Sequence, residues 1–155
     1  MIILFFGQPA SGKTTLCNAL YDALWEGSCG GAVRIDGDKW RDITKNKDYS
    51  KEGRIRNLKG AFDMALYLEK DDYISILSFV TPYEELRSYL RENANNLVEI
   101  YLEYSGDRGR NQNFAIDFEK PIGKYLSLDT SSESIEDSLD KVMEYLFENG
   151  KLNIK

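Results

Sequence analysis

Apolar residues recur along this chain in two spacings. Ile2 to Phe6 is an unbroken apolar run, the pattern of a strand covered on both faces. From Thr14 to Trp25 the spacing becomes helical, with Leu16, Ala19, Leu20, Ala23 and Leu24 on one stripe. Gly27 and the Gly30–Gly31 pair end that helix. Ala32 to Ile35 then reads as a short strand, Lys39 to Ile43 as a brief helix, and T-K-N-K-D as a polar loop. Ser50 is placed as the N-cap of a long helix reaching Glu69, marked by Leu58, Ala61, Phe62, Ala65, Leu66 and Leu68. Tyr73 to Phe79 is the third strand. Pro82 fits the first turn of the next helix, whose Leu86 and Leu90 turn to the sheet and whose arginines turn outward. Leu97 to Leu102 and Tyr125 to Leu128 are two more strands. A closing helix from Ser134 to Phe147 carries Ile135, Leu139, Val142, Met143 and Leu146 on one stripe.

Strands alternating with helices predict right-handed crossovers and a three-layer α/β fold with a five-stranded parallel sheet. A chain of 155 residues suits one such domain, spanning 1–155. Its irregular stretch, Glu103 to Gly123, is too short for another domain, and residues 104–123 read as a lid-like connection. In folds of this kind a site lies beyond the C-terminal strand ends. Those positions belong to Gly7 onward, Asp36 to Asp38, Ser78 to Thr81 and Tyr104 onward.

The first of them reads G-Q-P-A-S-G-K-T-T, Gly7 to Thr15, and fits G-x-x-x-x-G-K-[ST] between the strand and helix that its mechanism needs. Backbone N–H groups of such a loop wrap a triphosphate, and glycine lets them approach. Gly7, Ala10, Ser11, Gly12, Lys13, Thr14 and Thr15 are therefore expected around ATP phosphates. Lys13 supplies a point charge, and Thr14 a hydroxyl for Mg²⁺. In D-G-D, Asp36 could position the metal while Asp38 accepts a hydroxyl proton from a phosphoryl acceptor. The alternative is an acidic turn in which Asp38 caps the next helix. Arg41, Arg54 and Lys59, with Arg56, either neutralise an anionic acceptor or remain solvated. Ser78 is either a hydroxyl beside the acceptor or a small residue satisfied by the backbone. Arg108 and Arg110 either stack on a base or clamp phosphate, or stay exposed in their loop. Phe114 and Phe118 read as anchors of the connection.

Composition narrows the classes. A net charge of -6 disfavours nucleic acid as partner. Two cysteines and no histidine argue against zinc, and leave acid–base work to carboxylates. Cys17 reads as a small buried residue. The cysteine usage suits a reducing, cytoplasmic setting, and the short opening run is a core strand rather than a membrane span.

The segments I-D-G-D-K-W-R (35–41), S-F-V-T-P-Y (78–83), N-F-A-I-D-F-E-K-P (113–121) and L-D-T (128–130) follow the phosphate loop in order. With that loop they make the chain resemble the adenylylsulfate kinases of the P-loop NTPase superfamily. The resemblance implies ATP-dependent, magnesium-dependent phosphorylation of the 3'-hydroxyl of adenosine 5'-phosphosulfate, in sulfate assimilation. It implies Lys13, Asp38 and Ser78 as catalytic, with Ser78 matching a serine proposed to be phosphorylated in some members. Thr14 and Asp36 would serve the metal, and Arg108 and Thr130 the nucleotide. Asp36, Asp38, Arg41, Tyr49, Arg54, Asn57, Ser78, Phe79 and Val80 would surround the acceptor. A small-molecule partner follows, with a homodimer left open. The chain departs from the pattern at Gly53, where the family has Asp, at Lys59–Gly60, where it has two arginines, and in a shortened lid. Another nucleoside, nucleotide or sugar acceptor, or loss of transfer, is the alternative.

Overall fold

The computed structural model describes residues 1–26, 31–106 and 115–149. Gly27, Gly30, Arg108, Arg110 and Phe114 lie outside the described residues. The elements in chain order are β1 (Ile2–Phe6), α1 (Lys13–Glu26), β2 (Ala32–Asp36), α2 (Gly37–Thr44), α3 (Lys51–Lys70), β3 (Ile74–Phe79), α4 (Glu84–Asn93), β4 (Leu97–Glu103), β5 (Leu126–Asp129) and α5 (Ile135–Glu148). The five strands form one sheet in the order β2-β3-β1-β4-β5, every pairing parallel.

β1 is central and shows why an unbroken apolar run suits a doubly covered strand. Side chains alternate across a strand. Ile3 and Phe5 enter the core shared with Leu16, Leu20, Val142 and Leu146 of α1 and α5. Ile2, Leu4 and Phe6 enter the core on the other face with Phe62, Ala65, Leu86 and Leu90 of α3 and α4. Both faces are dry, so the strand has no polar position to give.

Register then positions the site. Asp36 pairs with Ser78, and Ser78 with Phe5, so the acidic turn and the end of β3 arrive side by side at the C-terminal edge. Ser50 caps α3 as expected, accepting from the Gly53 N–H, and Ser134 caps α5 by accepting from the Asp137 N–H.

Three expectations are corrected. The helix after D-G-D is capped by Asp36 rather than Asp38, because α2 starts at Gly37 and Asp36 Oδ1 reaches the N–H groups of Asp38 and Lys39. Pro82 precedes the N-cap Tyr83 instead of entering the helix. Arg87 does not face outward but is fully buried. Its guanidinium donates to Glu84 Oε2 at 2.8 Å, Thr81 O at 2.7 Å, and Glu119 O at 2.8 Å, and it lies over the Phe6 and Phe118 rings. An arginine with this many partners escapes the usual rule that cations stay in water.

Candidate active site

Between β1 and α1 the chain takes backbone angles that glycine favours. Gly7 has φ +145°, and a Cβ there would collide with the Leu102 carbonyl oxygen. Gly12 has φ +92°, and Ala10 joins it in the left-handed region at φ +63°. The loop is braced from behind, since Thr130 Oγ1 donates to Ser11 O at 2.8 Å and to Glu103 O at 3.1 Å. Lys13 is buried and donates from Nζ to Gln8 O at 2.6 Å and to Ser11 Oγ at 3.2 Å.

Asp36 faces this loop. Thr14 Oγ1 and Ser78 Oγ each donate to Asp36 Oδ2 at 2.8 Å, while Oδ1 takes the two cap N–H groups. Partial burial pushes the Asp36 carboxyl up, but hydrogen bonds from Ser78, Thr14, Lys39 N and Asp38 N outweigh it. The group is held below the usual carboxylate range. Ser78 is thus satisfied by a side chain and not by the backbone. The hydroxyl of Thr14 and the carboxylate of Asp36 are hard oxygen donors placed together, which fits Mg²⁺ bound partly through substrate phosphates. Among the described residues no group of three His, Cys, Asp or Glu converges on a metal position. A cation here would complete its shell with phosphate and water.

A cavity of about 800 Å³ joins these parts, a size suited to a small-molecule site. Its lining includes Ala10, Gly12, Lys13, Thr14, Thr15, Asp36, Asp38, Arg41, Tyr49, Arg54, Asn57, Ser78, Phe79 and Val80. Gly7, Ser11 and Thr130 stand behind the loop rather than on the cavity wall. Lys59 and Arg56 do not line it either. Lys59 Nζ lies 5.0 Å from the centre of the Tyr89 ring, and Arg56 pairs with Asp48 at 3.0 Å.

The far wall is held by side chains from α2, α3 and the loop between them. The Arg41 guanidinium stacks on the Tyr49 ring at 4.4 Å and donates to the carbonyls of Asn46 and Asp48, each at 3.2 Å. Burial draws its pKa below the ordinary arginine range, with the Arg54 charge adding to the fall. Arg54 Nε donates to Tyr49 O at 3.0 Å, and the buried Asn57 accepts Trp40 Nε1 on its carbonyl at 3.0 Å.

Residue 48 went unnoticed in the sequence. A Cβ on Gly53 would occupy the space of the Asp48 carboxyl group, which accepts from Ser50 N at 2.9 Å and from Arg56. Gly53 is therefore less a gap than the room for a carboxylate that arrives from elsewhere in the chain. Its only sequence signal was a glycine in the first turn of a helix, where one has little local reason to be. Gln8 and Arg87 were also missed, whereas Thr81 stands at the strand end where the sequence placed a site. Thr81, a β-branched residue, sits at φ +46° in the cavity wall.

The adenylylsulphate kinase family model matches residues 1–114. This chain belongs to the adenylylsulfate kinase family. It is 32% identical to the adenylyl-sulfate kinase of Halothermothrix orenii, over 98% of this chain and 92% of the relative. Against the adenylyl-sulfate kinase of Picosynechococcus it is 30% identical, over 96% of this chain and 94% of the relative. The hexameric APS kinase of Thiobacillus denitrificans superposes with a TM-score of 0.82 at 25% identity, covering 99% of this chain and 30% of that longer one. The family, the fold and the phosphate loop together make this an ATP-type nucleotide-binding phosphotransferase for a small nucleotide or sugar acceptor. Among the described residues no helix is long and apolar enough to cross a membrane.

Proposed function

We propose that this member of the family transfers the γ-phosphoryl group of Mg·ATP to the 3'-hydroxyl of adenosine 5'-phosphosulfate. The observation that carries the reading is the joining, in one cavity, of the phosphate loop with a wall of Arg41, Tyr49, Arg54 and Asn57. Two guanidinium groups and an aromatic face suit an acceptor that is both anionic and a nucleotide.

Lys13 holds the donor phosphates, and Thr14 and Asp36 would hold magnesium, which neutralises charge on the phosphates in transfer. Asp36 must accept from others and stay ionised for this, as its four donors ensure. Asp38 is exposed to the cavity and free of the capping role that Asp36 has taken. We assign it to orient the acceptor hydroxyl and take its proton. The Ser78 hydroxyl is buried and spent on Asp36, which favours direct in-line transfer over a phosphoserine step. Phe79 and Val80 shape the wall beside the acceptor. Arg108 is assigned to the nucleotide by resemblance.

The same reading takes 1–155 as one cytoplasmic kinase domain with 104–123 as its lid-like connection. It needs no nucleic acid, and leaves a homodimer to be tested by sedimentation. The deciding experiment is ADP release coupled to product identification, with adenosine 5'-phosphosulfate compared against nucleosides, nucleotides and sugars. Acceptor-dependent formation of the 3'-phosphorylated product supports the assignment. Faster turnover of another acceptor, or nucleotide binding with no transfer, overturns it.

A further inference from the structure

We propose that Gln8 is a positioning residue, whose carboxamide locks residues 115–120 to the phosphate loop so that a bound triphosphate sets the register of the acceptor wall. Gln8 Nε2 donates to Ala115 O at 3.0 Å, and Ala115 N donates back to Gln8 Oε1 at 3.0 Å. One carboxamide thus pairs with both main-chain groups of a residue 107 positions away, and Ala115 is buried. The other end of Gln8 belongs to the donor site, because its carbonyl accepts Lys13 Nζ at 2.6 Å and Ser11 N at 3.3 Å. When phosphate oxygens draw that ammonium toward themselves, the bonding of Gln8 changes together with that of Ser11.

The segment it holds runs directly to the opposite wall. Phe118 stacks on Tyr101 with centroids 6.0 Å apart. Glu119 N donates to Pro82 O at 2.8 Å, and Glu84 N donates to Glu119 Oε2 at 2.5 Å. Arg87 closes the link, since one Nη bonds Thr81 O and the other bonds Glu119 O. Residues 115–120 are therefore bonded at one end to the loop that grips the donor. At the other they meet the Val80–Pro82 turn, which lines the acceptor side of the cavity. A carboxamide can donate to the carbonyl and accept from the N–H of one residue at once, whereas an ionised carboxylate only accepts and an aliphatic chain does neither. The inference draws on the proposed reaction for its consequence, but the linkage itself holds whatever the acceptor is.

The test is amide hydrogen exchange of the full chain, with and without a magnesium-bound, non-hydrolysable ATP analogue, in wild type, Gln8→Ala and Gln8→Glu. In wild type the analogue should slow exchange at Ala115 and in residues 80–84. In Gln8→Ala, Ala115 should exchange about threefold to tenfold faster without nucleotide, as expected for one lost hydrogen bond, and the response to nucleotide should vanish. Affinity for the analogue should stay within about threefold of wild type, since the carbonyl that meets Lys13 is main chain. Gln8→Glu at pH 8 should also lose the response to nucleotide, because its ionised carboxylate can accept from Ala115 N but cannot donate to Ala115 O. An unchanged nucleotide response in Gln8→Ala or Gln8→Glu, or no response in wild type, would overturn the proposal. With the true acceptor, Gln8→Ala should lower kcat while leaving the nucleotide KM near wild type. Failure of adenosine 5'-phosphosulfate as acceptor leaves the exchange result standing, so the two readings fail separately.

Discussion

On the phosphate-loop side of the cavity the wall takes its shape from main-chain angles. Ala10 and Gly12 line it in the left-handed region with Gly7 behind them, and all belong to one short run of the chain. On the side proposed for the acceptor the wall is built from side chains, with Arg41, Tyr49, Arg54 and Asn57 contributed by two helices and the loop between them. The difference shows in how each side tolerates change. A backbone cradle has almost no sequence freedom, because each residue must adopt its own torsions. A side-chain wall can exchange one contributor for another if the volume and charge return to the same place. Behind that wall, Gly53 leaves the space that the Asp48 carboxyl group occupies, so a side chain from the preceding loop packs where the helix carries none.

The strongest way to break this contrast is at Lys13. Lys13→Ala should reduce kcat/KM about a thousandfold, with most of the loss in productive nucleotide binding, measured by nucleotide titration beside steady-state transfer. If the loss is small, the donor side is not the rigid half. Arg87→Met should cost about 3–5 kcal/mol of folding stability in a denaturant titration, since the carbonyls of Thr81 and Glu119 and the Glu84 carboxylate lose a buried partner. A loss under about 1 kcal/mol would mean that water replaces the guanidinium.

Asp38→Asn should slow single-turnover transfer about a hundredfold while nucleotide affinity stays near wild type. Equal loss of both would remove the base assignment. Gly53→Ala sharpens the contrast most directly. Its Cβ must displace the Asp48 carboxyl, which holds the loop whose main chain receives Arg41. Acceptor affinity should fall about tenfold with nucleotide affinity near wild type, since Asp48 and Gly53 stand outside the bonds that join Gln8 to Thr81 through Ala115 and Arg87. Similar loss on both sides would mean that the Asp48 loop also couples to the phosphate loop.

The smallest expected effect lies at Glu84. Partial burial pushes this carboxyl up, yet hydrogen bonds from Arg91 and Arg87 outweigh it and hold it below its ordinary range. A carboxyl with a depressed folded-state pKa contributes stability above its unfolded value, about 4.3, and loses it as pH falls through the folded value. Wild type should therefore exceed Glu84→Gln by about 1 kcal/mol at pH 7, and the gap should close in paired melts as pH falls through the lowered folded-state value. A gap independent of pH would assign the effect to packing.

The sheet and the phosphate loop were legible because their rules are local. An apolar run of five residues, a glycine pattern and a helical stripe each act through neighbours in sequence, and β1, the loop and α1 follow from them. The D-G-D turn was legible in part. Its place beyond β2 followed from the strand pattern, but which carboxylate caps α2 depended on the residue at which the helix began. What tertiary structure alone decided were the contacts between distant segments. Arg87 reads as a surface cation until the Thr81 and Glu119 carbonyls enclose it. Asp48 reads as part of a polar loop until Gly53 makes room for it. Gln8 occupies a position that the loop pattern leaves unspecified until Ala115 pairs with its amide. Periodicity reports which side of an element is dry, whereas a buried polar group is defined by the partners that satisfy it, and those come from wherever the fold brings the chain back.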